Sequence, residues 1–95
     1  MLIQFLGLWE LPLAKARERG GTERVWMKSA IVERELGNTE EEKRLLKEGL
    51  KLFPSFFKLW LMLGQLEDRL GRLEQAKEAY ESGLKRERQR QRKRH

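Results

Sequence analysis

The 95-residue sequence contains no cysteine, and its one histidine is the final residue, His95. Without thiols there can be no disulfide framework, no thiolate metal site and no cysteine nucleophile. One terminal imidazole supplies neither a His-based metal cluster nor an internal base for Thr22, Ser29, Thr39, Ser55 or Ser82. The sequence therefore predicts a chain that is not an enzyme, with no cofactor, no metal and no small-molecule substrate. No apolar run approaches the roughly 20 residues of a membrane span, so no membrane contact is expected. Met1 to Leu13 is apolar, but Gln4, Glu10 and Pro12 interrupt it and it has no basic leader. Residues 1–12 read as a helix-forming flank rather than a secretory signal. Hydrophobic residues (39%) barely outnumber charged ones (38%), which predicts a thin core.

What is present begins with charge. The net charge is +6, and its location matters more than its size. Lys85 to His95 holds seven basic residues and one acidic residue, leaving 14 of each sign in residues 1–84. The body is neutral, and the excess belongs to the last eleven positions.

The body repeats. Trp26 and Trp60 are 34 residues apart, as are Glu33 and Glu67, Leu36 and Leu70, Gly37 and Gly71, Glu40 and Glu74, and Lys43 and Lys77. Gly49, Leu50 and Lys51 recur as Gly83, Leu84 and Lys85, giving nine identities in 30 ungapped pairs. Chance would supply roughly two. A period of this length is the signature of a helix–turn–helix solenoid.

Each unit divides into two helices. Arg24 to Leu36 carries an apolar stripe near helical spacing and ends at Gly37-Asn38, both tolerant of a left-handed cap. Thr39 to Glu42 reads as a capping box that opens a second helix. That helix runs to about Leu52, with Leu45, Leu46, Gly49 and Leu50 inward, and Pro54 blocks its continuation. The next unit repeats the plan: Phe56 to Leu70, a break at Gly71, then Leu73 to at least Lys85. Upstream, Leu13 to Arg19 reads as the end of an earlier second helix, stopped by Gly20-Gly21. The divisions are thus a flank (1–12), a partial repeat (13–21), two repeats (22–54 and 55–85) and a basic tail (86–95).

Trp60, Leu63, Gly64, Ala76 and Tyr80 fall on the tetratricopeptide spacing, and Pro54 fits the proline that closes a unit. Glu67 seven residues after Trp60, with Glu33 after Trp26, resembles the half-a-TPR (HAT) variant found in RNA-processing scaffolds. The second helix, Ala76-Lys77-Glu78-Ala79-Tyr80-Glu81-Ser82-Gly83-Leu84, fits that variant. The first unit departs from it, with Glu42 for the alanine and Leu46 for the aromatic. From Leu13 to Lys85 the sequence resembles the pre-mRNA-processing factor 6 family, especially its plant versions. The resemblance includes the loop residues Gly20, Gly21 and Thr22 and stops at Pro12 and Lys85, so the chain reads as a fragment of a longer array. It implies an all-α fold of antiparallel helix pairs stacked as a short right-handed TPR-like (HAT repeat) α-solenoid. It also implies a nuclear, non-enzymatic scaffold in tri-snRNP assembly whose partners are other spliceosomal proteins.

The residues expected to build the repeat core are Trp26, Glu33, Gly37, Leu46, Gly49, Leu50, Trp60, Glu67, Gly71, Ala76, Tyr80, Gly83 and Leu84. Glu33 and Glu67 lie about two turns after their tryptophans, and a carboxylate placed there needs a partner, for which Lys77 is a candidate at Glu67. Phe53, Phe56 and Phe57 are expected to seal the joint between units. In the tail, Arg86, Arg88, Arg90, Arg92, Lys93 and Arg94 are candidate contacts for RNA phosphates or for nuclear import. No aromatic residue lies among them to stack bases, so weak, nonspecific RNA contact through a frayed end is the alternative function. A generic TPR-like module for a short peptide is the other.

Overall fold

The computed structural model describes residues 11–92. The flank up to residue 10, and Lys93, Arg94 and His95 of the tail, lie outside the described residues. Residues 11–18 are helical (α1), followed by α2 (Glu23–Glu35), α3 (Thr39–Leu52), α4 (Phe57–Arg69) and α5 (Leu73–Arg92). With no strand among the described residues, the architecture is an all-α, TPR-like solenoid. No helix among the described residues is long and apolar enough to cross a membrane. The chain forms two compact units, Met1–Leu46 and Lys47–His95, and the division falls within α3.

α1, α2 and α4 end where the sequence places glycine. Gly37 (φ 81°) and Gly71 (φ 77°) adopt the left-handed conformation that a side chain resists. In each case two backbone bonds close the helix end. Gly37 and Asn38 donate to the carbonyls of Arg34 (3.1 Å) and Glu33 (2.9 Å), and Gly71 and Arg72 donate to those of Asp68 (3.0 Å) and Glu67 (2.9 Å). This is the Schellman pattern. The end of α1 has it too, with Gly20 donating to Arg17 and Gly21 to Ala16, both at 3.0 Å. Gly37 and Gly71 are therefore exposed turn residues and not members of the core.

The capping box does not form. Thr39 already lies inside α3, and the Glu42 amide donates to the Asn38 carbonyl at 2.9 Å, the ordinary helical bond. Asn38 occupies the capping position one residue earlier, and its side chain turns back to Glu33 instead. The Glu42 side chain is buried rather than reaching to the helix start.

The tail boundary at Lys85 is a change of composition and not of structure, because α5 runs unbroken through Arg92. No glycine or proline interrupts residues 84–92. Arg, Gln, Glu and Lys are all good helix formers, and cations suit the negative end of the helix dipole. A frayed end is thus replaced by two further helical turns.

In the first unit the buried apolar residues are Trp26, Ala30, Val32, Leu45 and Leu46. In the second they are Leu50, Leu59, Leu63, Leu66, Ala76 and Ala79, and α5 packs against α4. That packing is close because Gly83 has no side chain. A Cβ there would lie 2.7 Å from Trp60 Cβ and 3.1 Å from the Phe57 ring. Leu84, expected in the core, is 48% exposed. Ala76, Ala79 and Gly83 make up the buried face of α5, and Leu84 falls off it. In a solenoid such a position is covered by the next repeat.

Candidate protein-docking surface

The two repeat tryptophans sit at equivalent positions in different surroundings. Trp26, on α2, is buried, and its indole N–H finds no acceptor among the described residues. The Arg17 guanidinium lies 5.9 Å from its ring centroid, a cation–π contact. Arg17 also donates to the hydroxyl of the fully buried Ser29, which in turn donates to the Val25 carbonyl at 2.8 Å. Trp60, near the start of α4, is only half-buried. Its Nε1–H donates to the Pro54 carbonyl at 2.7 Å, and the Arg86 guanidinium lies 5.7 Å from its ring. Periodicity located both tryptophans; it carried no signal for the arginines, which are not 34 residues apart.

The paired glutamates are both buried, Glu33 at 4% exposure and Glu67 at 3%. Glu33 is hydrogen-bonded by the residue that closes its helix, whereas Glu67 has only a long ion pair with its own, and neither of its carboxylate oxygens accepts a hydrogen bond among the described residues. Asn38 Nδ2 donates to Glu33 Oε2 at 2.8 Å, and Arg72 Nη1 lies 3.9 Å from Glu67 Oε2. Asn38 and Arg72 also donate their backbone amides to the carbonyls of Glu33 and Glu67, so Asn38 bonds both the carbonyl and the carboxylate of Glu33, while Arg72 bonds the carbonyl of Glu67 and places its charge near the carboxylate. A cation beside Glu67 is thus Arg72, whereas the expected Lys77 is exposed. Of the other expected core residues, Leu46, Gly49, Leu50, Ala76 and Gly83 are buried, and Tyr80 is half-buried against Gly64. Phe53, Phe56 and Phe57 are all half-buried.

Two surfaces of the second unit have recognition chemistry. One is a stripe along α5, where Lys85, Arg88 and Arg92, with Glu81 and Gln89, border an open groove of about 450 Å³. Arg86 faces Trp60 instead, so the tail's cations do not act as one patch. The other is a groove of about 400 Å³ whose lining includes Trp60 and Leu63. No strained backbone, buried acid–base pair or nucleophile accompanies either among the described residues.

Helix pairs closed by Gly-centred turns, with a tryptophan and a glutamate at fixed places in each first helix, define a helical-repeat protein. Sequence models of the tetratricopeptide repeat match residues 23–66 and 57–90. The chain carries tetratricopeptide repeats, and such repeats are protein-interaction modules. Protein STABILIZED1 of Arabidopsis thaliana is 89% identical to this chain over 46 residues, which are 48% of this chain and 4% of that protein. The match thus spans a small part of that relative's length. No solved structure matches the sequence.

Proposed function

We propose that the chain is a non-enzymatic protein-interaction scaffold of pre-mRNA splicing, working in the nucleus on proteins of the tri-snRNP. The observation that carries this reading is the 34-residue helix pair itself, matched by tetratricopeptide models over both units. The resemblance to the pre-mRNA-processing factor 6 family supplies the splicing assignment. The 89% identity with a plant protein agrees with the plant-like form of that resemblance. The mechanism is surface complementarity: stacked helices hold side chains from several turns in a fixed array that a partner reads without a chemical step. A pull-down from plant nuclear extract with the full chain tests it. Recovery of tri-snRNP proteins is the expected result, and recovery of none of them sinks the splicing assignment.

One observation favours a second reading. Because α5 continues to Arg92, Lys85, Arg88 and Arg92 share a helix face about 10 Å long, a rigid array for RNA phosphates. On this reading a labelled RNA binds with a steep salt dependence that deletion of residues 86–95 abolishes. The scaffold reading has protein binding survive deletion of residues 87–95, which spares the Arg86 contact with Trp60.

A further inference from the structure

We infer that the groove beside Trp60 is a docking site for a short acidic segment of a partner protein, one with a bulky apolar side chain between carboxylates. Every element of the site lies in the second unit. The last turns of α3 supply Lys47, Leu50 and Lys51, the link to α4 supplies Pro54, α4 supplies Trp60 and Leu63, and the α5 extension supplies Arg86. The floor is apolar, with Leu50 and Leu63 exposed by only 7% and 9%. Its opening, about 400 Å³, accommodates a large side chain and its neighbours.

The rim carries one sign of charge. Lys47, Lys51 and Arg86 are all exposed, and no carboxylate lines the groove among the described residues. Lys51 Nζ does lie 3.6 Å from Glu48, but that pair is open to solvent and therefore weak. A cationic rim over an apolar floor fits a ligand with the opposite pattern, and like charges along the rim reject basic segments.

Nucleic acid fits less well. The Trp60 N–H is committed to the Pro54 carbonyl and Arg86 lies over its ring, so the indole offers no platform for base stacking. Phosphates would engage the rim and leave the floor uncovered. Arg86, assigned to the tail by sequence, is in this site a recognition residue that belongs to the repeat.

The inference rests on the protein-binding part of the function proposed above and is independent of splicing. A failed pull-down with successful peptide binding removes the splicing assignment alone. The test is fluorescence anisotropy with the full chain and a fluorescein-labelled dodecapeptide in which Phe and Leu are flanked by Asp and Glu. The expected result is saturable binding that the double variant Lys47→Glu, Arg86→Glu weakens at least about tenfold and that Lys28→Glu, in the first unit, leaves unchanged. A probe with serine in place of Phe and Leu should bind about tenfold more weakly. Should the double variant lose helicity, titration of the unaltered chain keeps the test sharp. The peptide must then shift the Trp60 indole N–H resonance, assigned with Trp60→Phe. The proposal is overturned by absence of saturation, by indifference to the double reversal in a folded variant, or by equal binding of the serine probe. Tighter, reversal-sensitive binding of a decauridylate RNA would overturn it as well.

Discussion

Ala30 and Leu46 in the first unit stand where Gly64 and Tyr80 stand in the second, 34 residues later. Ala30 and Leu46 are completely buried, whereas Tyr80 is half-buried and its ring lies where a Cβ on Gly64 would fall, 2.4 Å from Cε1. The second unit removes a methyl group and gains a ring; the first keeps the methyl and has a smaller side chain at the ring's position. Glu42 and Ala76, also equivalent, are both buried although they differ in size and charge. At the Ala30–Leu46 and Gly64–Tyr80 positions the two units keep a similar total volume with different residue types, as expected when cores tolerate substitution that preserves volume and pattern. What both units keep unchanged is the geometry at the helix ends, where glycine and glutamate have no substitute.

That contrast predicts the largest effect at the glutamates. Reversing a nearly buried carboxylate, in Glu67→Lys, leaves a cation facing Arg72 and should cost about 3–5 kcal/mol, or more than about 10 °C in a chain of this size. Glu33→Lys should behave alike, since it loses the Asn38 bond. Conservative changes should separate the units. Glu33→Gln keeps an oxygen for the Asn38 amide and is nearly neutral, while Glu67→Gln loses the charge opposite Arg72. Thermal melts followed by circular dichroism read both, and a midpoint for Glu67→Lys within two or three degrees of the parent, on the order of 0.5 kcal/mol, would show that the carboxylate is not structural.

The glycines come next. Gly83→Ala pushes a methyl against Trp60 Cβ, an atom that cannot rotate away without moving α4. A loss of about 1–3 kcal/mol is expected. Gly64→Ala meets only ring atoms of Tyr80, which can swing toward solvent, so it should cost about 1 kcal/mol or less. Volume compensation is tested directly by adding Tyr80→Leu, which copies the first unit's pairing. The double variant should recover at least about 0.5 kcal/mol relative to the sum of the single changes. Strict additivity would mean that the two positions do not share a packing site.

Period and turn chemistry were enough to read the ends of α2, α3 and α4 from the sequence to within about a residue, because Gly37, Gly71 and Pro54 act on the backbone locally. The capping box failed for an equally local reason: α3 begins one residue early, so Thr39 lies inside it, and the Asn38 side chain bonds Glu33. Burial at Leu84 was misread because periodicity gives a residue its face on a helix but not what lies opposite. The equivalent Leu50 is 7% exposed and Leu84 is 48% exposed. The cations over Trp26 and Trp60 were invisible because they come from unrelated registers, Arg17 and Arg86, and only the folded chain brings each to its ring. The groove proposed for an acidic peptide was illegible for the same reason, since three helices and a turn contribute to it.

The smallest effect is electrostatic and confined to the first unit. On α3, Arg44 donates to both carboxylate oxygens of Glu41, at 2.9 Å for Oε2, in an exposed pair. That hydrogen bond holds the Glu41 carboxyl below its ordinary value against a slight opposing effect of burial, with the charges of Arg44 and Arg17 helping. A carboxyl whose folded pKa is depressed contributes stability above its unfolded value and loses it as pH falls through the folded one. Exposure limits that contribution to a few tenths of a kcal/mol. Glu41→Gln should therefore lower the neutral-pH midpoint by a degree or two, as expected for about 0.3 kcal/mol. The difference from the parent should vanish on acidification below the ordinary carboxylate range. The equivalent residues of the second unit are Gln75 and Glu78, which cannot form this pair. Gln75→Ala should accordingly show no pH dependence, so equal pH profiles for the two substitutions would contradict the assignment of the effect to the Glu41–Arg44 bond.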